Sequence, residues 1–185
     1  MLSQFTREGN HPSLADLDFK FPSDVYPVGR LDADSEGLLV LTNDPRINHR
    51  LLAPENKHWR TYLAQVEGLP GQDSLKKLGN GVELSINGKR YQTLPSKVEQ
   101  VVEPDFLPER NPPVRFRKEI PTSWLKISLS EGKNRQVRKM TAAVSLPTLR
   151  LIRIAIEDMI LDNYTVGLIN EIPKADFYKK LHLKP

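Results

Sequence analysis

Three carboxylates stand on alternate positions in one short stretch, residues 29–44, which reads Gly-Arg-Leu-Asp-Ala-Asp-Ser-Glu-Gly-Leu-Leu-Val-Leu-Thr-Asn-Asp. Asp32, Asp34 and Glu36 run directly into Gly37, and this is how a calcium loop of the EF-hand type begins. The same spacing could instead mean that one carboxylate does chemistry on another substrate. The neighbouring residues discriminate between these chemistries.

The residue at position twelve argues against a calcium loop. A calcium loop has a bidentate Glu there to complete the oxygen ligands, and this chain has Asn43. Pro22 and Pro27 precede the loop, and a strand-like run over residues 37–42 overlaps its second half. The four histidines, at positions 11, 49, 58 and 182, show no paired ligand spacing. We therefore expect no metal site, while a plain turn or cap role for Asp32 stays open at this point.

A second polar segment, Glu-Gly-Lys-Asn-Arg-Gln-Val-Arg-Lys-Met at residues 131–140, could supply partners for Asp32. It runs from the end of a predicted strand into a helix start, where backbone N–H groups and cationic side chains suit phosphates. An arginine from it would keep Asp32 ionised and oriented, as a nucleophile requires. Arg30, two residues before Asp32, would share its face in an extended chain. A merely solvated charged helix face is the alternative.

The hydrophobic pattern predicts the elements that would position these residues. Alternating or β-branched runs predict strands at 37–42, 59–68, 92–103, 122–132 and 149–161. Capping signals and three- and four-residue spacing predict helices at 45–52, from 73 to about 79, after Gly132 as far as Pro147, and after Pro173. Residues 86–89 predict a hairpin turn. Because strands and helices mix without regular alternation, the predicted fold class is α+β.

Length and composition fit one globular domain, 1–185, with two lobes. The chain has no cysteine, no apolar run long enough to span a bilayer and no apolar signal region, so we expect a cytoplasmic protein with no membrane partner. The net charge of +4 is modest, but basic residues gather between Lys126 and Arg153 and in the proline-rich segment, residues 104–121. This segment predicts an irregular loop that is either a contact arm or a plain linker.

Residues 29–44 resemble motif II of the pseudouridine synthases, and the form Gly-Arg-Leu-Asp-x-Asp-Ser-Glu-Gly-Leu-Leu is characteristic of the RsuA branch. Residues 131–140 are similar to a later motif of that branch, and Arg-Thr-Tyr-Leu-Ala-Gln-Val-Glu-Gly, residues 60–68, looks like the segment with the active-site tyrosine. The resemblance extends from about residue 2 to 165. Three motifs in the right order are far more specific than any one of them.

The resemblance implies a pseudouridine synthase catalytic domain, with a mostly antiparallel mixed sheet and flanking helices around a central RNA-binding cleft. It implies that Asp32 is the nucleophile, that Arg30 helps to extrude the target nucleotide, and that Tyr62 stacks on the flipped uracil. Arg138 would form the salt bridge to Asp32. The other predicted RNA contacts are Lys133, Asn134, Arg135, Gln136, Lys139, Arg115 and Arg117.

The implied reaction isomerises a specific uridine in rRNA, expected to be large-subunit rRNA, and needs no cofactor because no atoms are gained or lost. The expected enzyme is a monomer, and a catalytically inactive RNA-binding or ribosome-binding protein on the same scaffold is the alternative. Family members carry a first strand ending in Asn-Lys-Pro, which we expect to be missing here, as is an S4 RNA-binding module. Glu157 stands where relatives commonly have Gly.

Overall fold

The computed structural model describes residues 1–114, 117, 119–161 and 165–184, apart from the side chain of Pro54. In this part of the chain the strands are β1 (Tyr26–Pro27), β2 (Glu36–Gly37), β3 (Leu41–Thr42), β4 (Arg60–Glu67), β5 (Glu83–Ile86), β6 (Lys89–Gln92), β7 (Lys97–Val101), β8 (Thr122–Leu129), β9 (Thr148–Ile156) and β10 (Met159–Ile160). The α-helices are α1 (Pro45–Leu52), α2 (Gln72–Asn80), α3 (Gln136–Ala143) and α4 (Lys174–Lys180), with 3-10 turns at Leu14–Asp16 and Pro54–Asn56.

The main sheet has six strands, of which β10, β9, β4, β8 and β7 lie side by side and β2 pairs with β9. Each pair is antiparallel except β2 with β9, which is parallel and matches Gly37 with Arg153. Strands β1 with β3 and β5 with β6 form two small antiparallel pairs. The predicted α+β class with a mostly antiparallel mixed sheet is confirmed.

Strand β4 shows why the sequence alternates there, because its two sets of side chains enter different cores. Ala64 and Val66 enter one core with residues of β8, α2 and α3, while Leu63 packs on the other face against Trp124 and Ile152. A third core joins α1 and α4 beside the end of β9. The sheet therefore fixes α3, and with it the basic segment, on the face that carries Tyr62.

The prediction of one strand over residues 37–42 is wrong. β2 joins the main sheet, whereas β3 pairs with β1 in a separate one. The backbone of Gly37 has φ +104, so the chain turns out of the main sheet just after its pairing with β9. Val40 instead accepts a backbone hydrogen bond from Val28 at 2.8 Å.

Most other predicted elements are confirmed with shifted ends. Asp44 caps α1 and Pro45 begins it, and the hairpin between β5 and β6 turns at Asn87 and Gly88, which both have positive φ. The predicted strand 149–161 is divided by a turn at Glu157 into β9 and β10.

No helix in the described part of the chain has the length and apolar character that a membrane crossing requires.

Candidate active site

Residues 30–36, here named the Asp32 loop, connect the N-terminal part of the chain to β2. Asp32 has a side chain that is 28% exposed and borders a cleft of about 180 Å³. The exposed Arg30 lines the same cleft, and residues 2–4 form part of its wall. Ser3 Oγ accepts a hydrogen bond from the backbone N–H of Leu31 at 3.0 Å, which attaches this wall to the loop. The Asp32 carboxylate and the Arg30 side chain therefore line one cleft that is open to a substrate.

Asp34 is held by two arginines of the basic segment. Arg135 donates two hydrogen bonds to its carboxylate, at 2.9 and 3.0 Å, and Arg138 Nη2 lies 3.4 Å from the same group. Arg138 Nη2 also donates to the backbone oxygen of Asp34 at 2.9 Å. The bidentate bond from Arg135 lowers the pKa of the Asp34 carboxyl below its usual value, against a smaller opposing effect of burial. Asp34 is thus an ionised anchor that joins the loop to the start of α3.

The pairing of Asp32 differs from the expected one. Among the described residues its ion-pair partner is Arg135, with Nη1 at 3.6 Å from Oδ2, rather than Arg138. Arg138 is more buried, which lowers the pKa of its guanidinium, and it donates instead to backbone oxygens of Asp34 and Thr148. Arg135 immediately precedes α3 in the left-handed conformation, with φ 50, and its side chain is 42% exposed. Arg135 therefore lies between Asp32 and Asp34, and Arg138 supports the loop from behind.

Glu36 is held from the opposite side of the sheet. Arg150 donates two hydrogen bonds to its carboxylate, at 3.0 and 2.8 Å, and Arg110 Nε lies 3.1 Å from Oε1. Asp32 and Asp34 therefore share Arg135 of the basic segment. Glu36 instead faces Arg110 and Arg150, so the three carboxylates do not converge on one point. Within the described ranges, no group of three or more His, Asp or Glu side chains is arranged to hold a metal ion.

Tyr62 lies on β4, partly buried against the core that contains Val137 and Met140 of α3. It pairs across the sheet with Arg153, whose Nε donates to the backbone oxygen of Leu38 at 2.8 Å. No hydrogen bond joins Tyr62 to Asp32 or Arg138 in the described part of the chain. The Tyr62 ring packs against the core to which α3 contributes Val137 and Met140, and Arg135 of the Asp32 contact immediately precedes α3.

Glu131 was not singled out from the sequence, yet it organises the basic segment from inside. Buried to 4% exposure, it accepts hydrogen bonds from Gln136 Nε2 at 2.7 Å, from Leu94 N at 2.9 Å, and from the Tyr91 hydroxyl. The bond to Glu131 raises the pKa of Tyr91 to about 12. Lys133 lies over the Tyr91 ring at 4.8 Å. The β5–β6 hairpin and the start of α3 thus form one connected polar network.

Comparison with known proteins identifies this constellation. Residues 7–143 match the RNA pseudouridylate synthase family. The chain belongs to this family. Its reaction is an isomerisation, and the resemblance carried by residues 29–44 is therefore confirmed at the level of the family.

Similar pseudouridine synthases match most of the chain. A ribosomal large subunit pseudouridine synthase E of Vibrio parahaemolyticus is 50% identical over 92% of this chain and 69% of its own length. A protein of the same name from Xanthomonas axonopodis pv. citri is 49% identical over 88% of this chain and 83% of its own. A solved pseudouridylate synthase superposes with a TM-score of 0.73 at 25% identity, covering 92% of this chain and 65% of that one.

The predicted RNA contacts of this pseudouridine synthase are unequal in exposure. Asn134 and Arg135 are exposed, Lys133 and Lys139 are partly exposed, and Gln136 is buried with its amide nitrogen on Glu131 and its amide oxygen on a backbone N–H. Gln136 is therefore not free to bind RNA in this conformation, and its role is to order the segment.

Two further predicted RNA contacts lie in the proline-rich segment. Arg117 Nη1 lies 2.6 Å from Oε1 of Glu67, which ends β4 about 17 Å along the strand from Tyr62. The structure does not bring Arg117 to the Asp32 loop, and Arg115 lies outside the described residues.

Sequence reasoning missed Arg110, Arg150 and Glu131 as parts of this pseudouridine synthase site. Each acts through a partner 37 to 114 positions away in the chain, so no local spacing marks it. The one available signal was an excess of cations near an excess of carboxylates, which does not say which charge meets which.

Proposed function

We propose that this protein converts a specific uridine of large-subunit rRNA to pseudouridine. The observation that carries the proposal is the partly exposed Asp32 carboxylate, which borders an open cleft with Arg135 at 3.6 Å. The family match and the names of the two relatives, both ribosomal large subunit enzymes, support the substrate class.

Asp32 is the proposed nucleophile. Its partial exposure leaves a carboxylate oxygen free to attack a substrate. Tyr62 is the proposed stacking partner of the extruded uracil, and Arg138 holds the loop that presents Asp32. The revised arrangement gives Arg135 the direct electrostatic contact with Asp32 and gives Arg138 the supporting one.

The target base must leave the RNA stack to reach a carboxylate in a cleft, which costs a few kcal/mol that pocket contacts offset. Arg30, Lys133, Arg135 and Lys139 are the proposed contacts to phosphates, and their charge supplies a salt-dependent share of the affinity. The reaction requires no cofactor. We further propose that the enzyme acts in the cytoplasm as a monomer.

A tritium-release assay on 5-tritiated fragments of large-subunit rRNA tests this function. The unmodified chain should release tritium, and Asp32→Asn should lose release by several orders of magnitude because an amide is a poor nucleophile. Asp73→Asn, which neutralises a carboxylate in the first turn of α2, is the matched control and should keep full release. If Asp32→Asn retained turnover, the nucleophile assignment would be wrong. If the unmodified chain released no tritium from any fragment of that rRNA, the proposed activity would be wrong.

A further inference from the structure

The proline-rich segment is bound to the body of the protein, next to the Asp32 loop, through Leu107, Pro108 and Arg110. Leu107 packs on the core formed by Leu63, Trp124 and Ile152. The backbone oxygen of Pro108 accepts a hydrogen bond from Arg150 Nη1 at 3.0 Å. These contacts hold the chain on the face of the sheet opposite α3.

Arg110 extends from this segment to two different points of the Asp32 loop. Its Nε lies 3.1 Å from Oε1 of Glu36, and its Nη2 donates to the backbone oxygen of Asp34 at 3.3 Å. The Arg110 side chain is 20% exposed, so these bonds are partly shielded from solvent. A planar guanidinium that bridges a carboxylate and a carbonyl restricts both position and orientation.

The same carbonyl of Asp34 also accepts the 2.9 Å hydrogen bond from Arg138. Two arginines, one from the proline-rich segment and one from α3, thus donate to a single backbone oxygen two residues after Asp32. Arg138 and Arg135 restrain the loop from the α3 side, and Arg110 restrains it from the other side. Removal of Arg110 leaves the loop bonded from α3 and through Glu36 to Arg150.

We propose that Arg110 is a positioning residue for catalysis, which fixes the Asp32 carboxylate by tethering the next four residues of the loop. The inference rests on the proposed function, because it needs Asp32 to be the nucleophile. Arg110 acts through the loop and contributes to the rate of the chemical step, whereas the exposed cations at the cleft contribute to RNA affinity. A misplacement of about 1 Å in a reacting group can lower a rate roughly 100-fold.

The experiment compares two variants. Arg110→Met keeps much of the side-chain length but has no hydrogen-bond donor, and Arg110→Lys keeps the positive charge but lacks the planar guanidinium that can donate to two acceptors at once. Lys126→Met is the matched control, since it breaks an exposed ion pair with Glu99 in the sheet. Single-turnover rates at saturating 5-tritiated rRNA fragment, dissociation constants for the same RNA, and melting temperatures are measured for each variant and for the unmodified chain.

Arg110→Met should lower the single-turnover rate at least tenfold, with the RNA dissociation constant within about twofold of the unmodified value. Arg110→Lys should recover part of the rate, and Lys126→Met should keep all of it. A rate for Arg110→Met equal to that of the unmodified chain overturns the inference. Weaker RNA binding at an unchanged rate also overturns it, because Arg110 would then be an RNA contact.

Three outcomes separate a failure of the Arg110 inference from a failure of the proposed function. If Arg110→Met does not fold, Arg110→Lys and Arg110→Gln are compared in the same way, and full rates in both overturn the inference. If the unmodified chain itself releases no tritium, the proposed function fails and the role of Arg110 fails with it. An active unmodified chain with an equally active Arg110→Met removes the Arg110 inference alone.

Discussion

Gly37→Ala tests whether the contact between β2 and β9 holds the Asp32 loop in place. An added Cβ at Gly37 would lie 2.2 Å from the backbone oxygen of Arg153 and 2.7 Å from its nitrogen, where ordinary contacts begin at 3.4 Å. The strand β2 must therefore move by about 1 Å, because a backbone ladder cannot yield as a flexible side chain does. The backbone at this position also has φ +104, which an alanine adopts only under strain.

The expected loss of stability follows from these contacts. The shift breaks two hydrogen bonds of 2.8 Å, from Leu38 N to Arg153 O and from Arg153 Nε to Leu38 O, each worth about 1 kcal/mol. Backbone strain at the new alanine adds about 1–3 kcal/mol. The free energy of unfolding should therefore fall by about 3–5 kcal/mol. The single-turnover rate should fall roughly 100-fold where the variant is folded, because the loop moves with β2.

The control is Gly88→Ala in the β5–β6 hairpin, where φ is +75 and nothing lies within 4 Å of the added Cβ. This change adds backbone strain without a clash, so we expect a loss of about 1–2 kcal/mol and a full rate. Urea unfolding followed by circular dichroism measures both variants. Equal losses of stability for the two substitutions would refute the reasoning, since the clash with Arg153 would then carry no energy.

Four further outcomes are expected. Because the folded-state pKa of Asp34 is lowered, Asp34→Asn should reduce the free energy of unfolding by about 1 kcal/mol at pH 7. The difference in stability between this variant and the unmodified chain should vanish as pH falls below about 4, and urea titrations that show a constant difference would contradict this. Glu157 has φ +49, and its carboxylate accepts a hydrogen bond from the backbone N–H of Trp59. Both Glu157→Ala and Glu157→Gly remove this bond, but only alanine is strained at positive φ, so the alanine variant should be about 1 kcal/mol less stable. The reverse order of stability in urea would show that backbone strain is absent. Ultraviolet titration should place the ionisation of Tyr91 near pH 12, and Glu131→Gln should move its pKa toward the ordinary value; an unmoved midpoint would show that Glu131 does not raise this pKa. Because the pKa of Tyr91 is raised in the folded state, the stability that it contributes should be lost between about pH 10 and 12. With the four proposed phosphate contacts, RNA affinity should fall roughly 50- to 150-fold between about 50 and 200 mM salt in a filter-binding assay. A flat response would contradict the proposed contacts of the basic surface.

Local chemistry could be predicted from the sequence wherever a few neighbouring residues decide the structure. The cap and first residue of α1, the alternation of β4 and the positive-φ turn at residues 87–88 are examples, and the structure confirms each of them. The motif that contains Asp32 also indicated the family, because its residue types are specific together. These features require no knowledge of the rest of the fold.

The failed predictions depended on distant partners. The apolar run 37–42 has the composition of one strand, but the turn at Gly37 is imposed by its approach to Arg153. Arg135 and Arg138 stand three residues apart at the start of α3, and in the structure it is Arg135 that faces Asp32. The sequence pattern identifies a set of basic residues that could pair with Asp32, but it does not show which of them forms the ion pair.

The arginine-held loop also determines when the site can form during synthesis. In the described part of the chain, the ion pairs of the Asp32 loop are made with residue 110 or later, across separations as large as 114 positions. Contacts so distant in sequence form late, since the intervening chain must first be closed into a loop. A nascent chain that ends before residue 110 carries the complete Asp32 loop with none of these partners. The active site can therefore form only after the C-terminal half of the chain has been synthesised. Strand β9, which contains Arg150, is the last strand that supplies an ion-pair partner to the Asp32 loop.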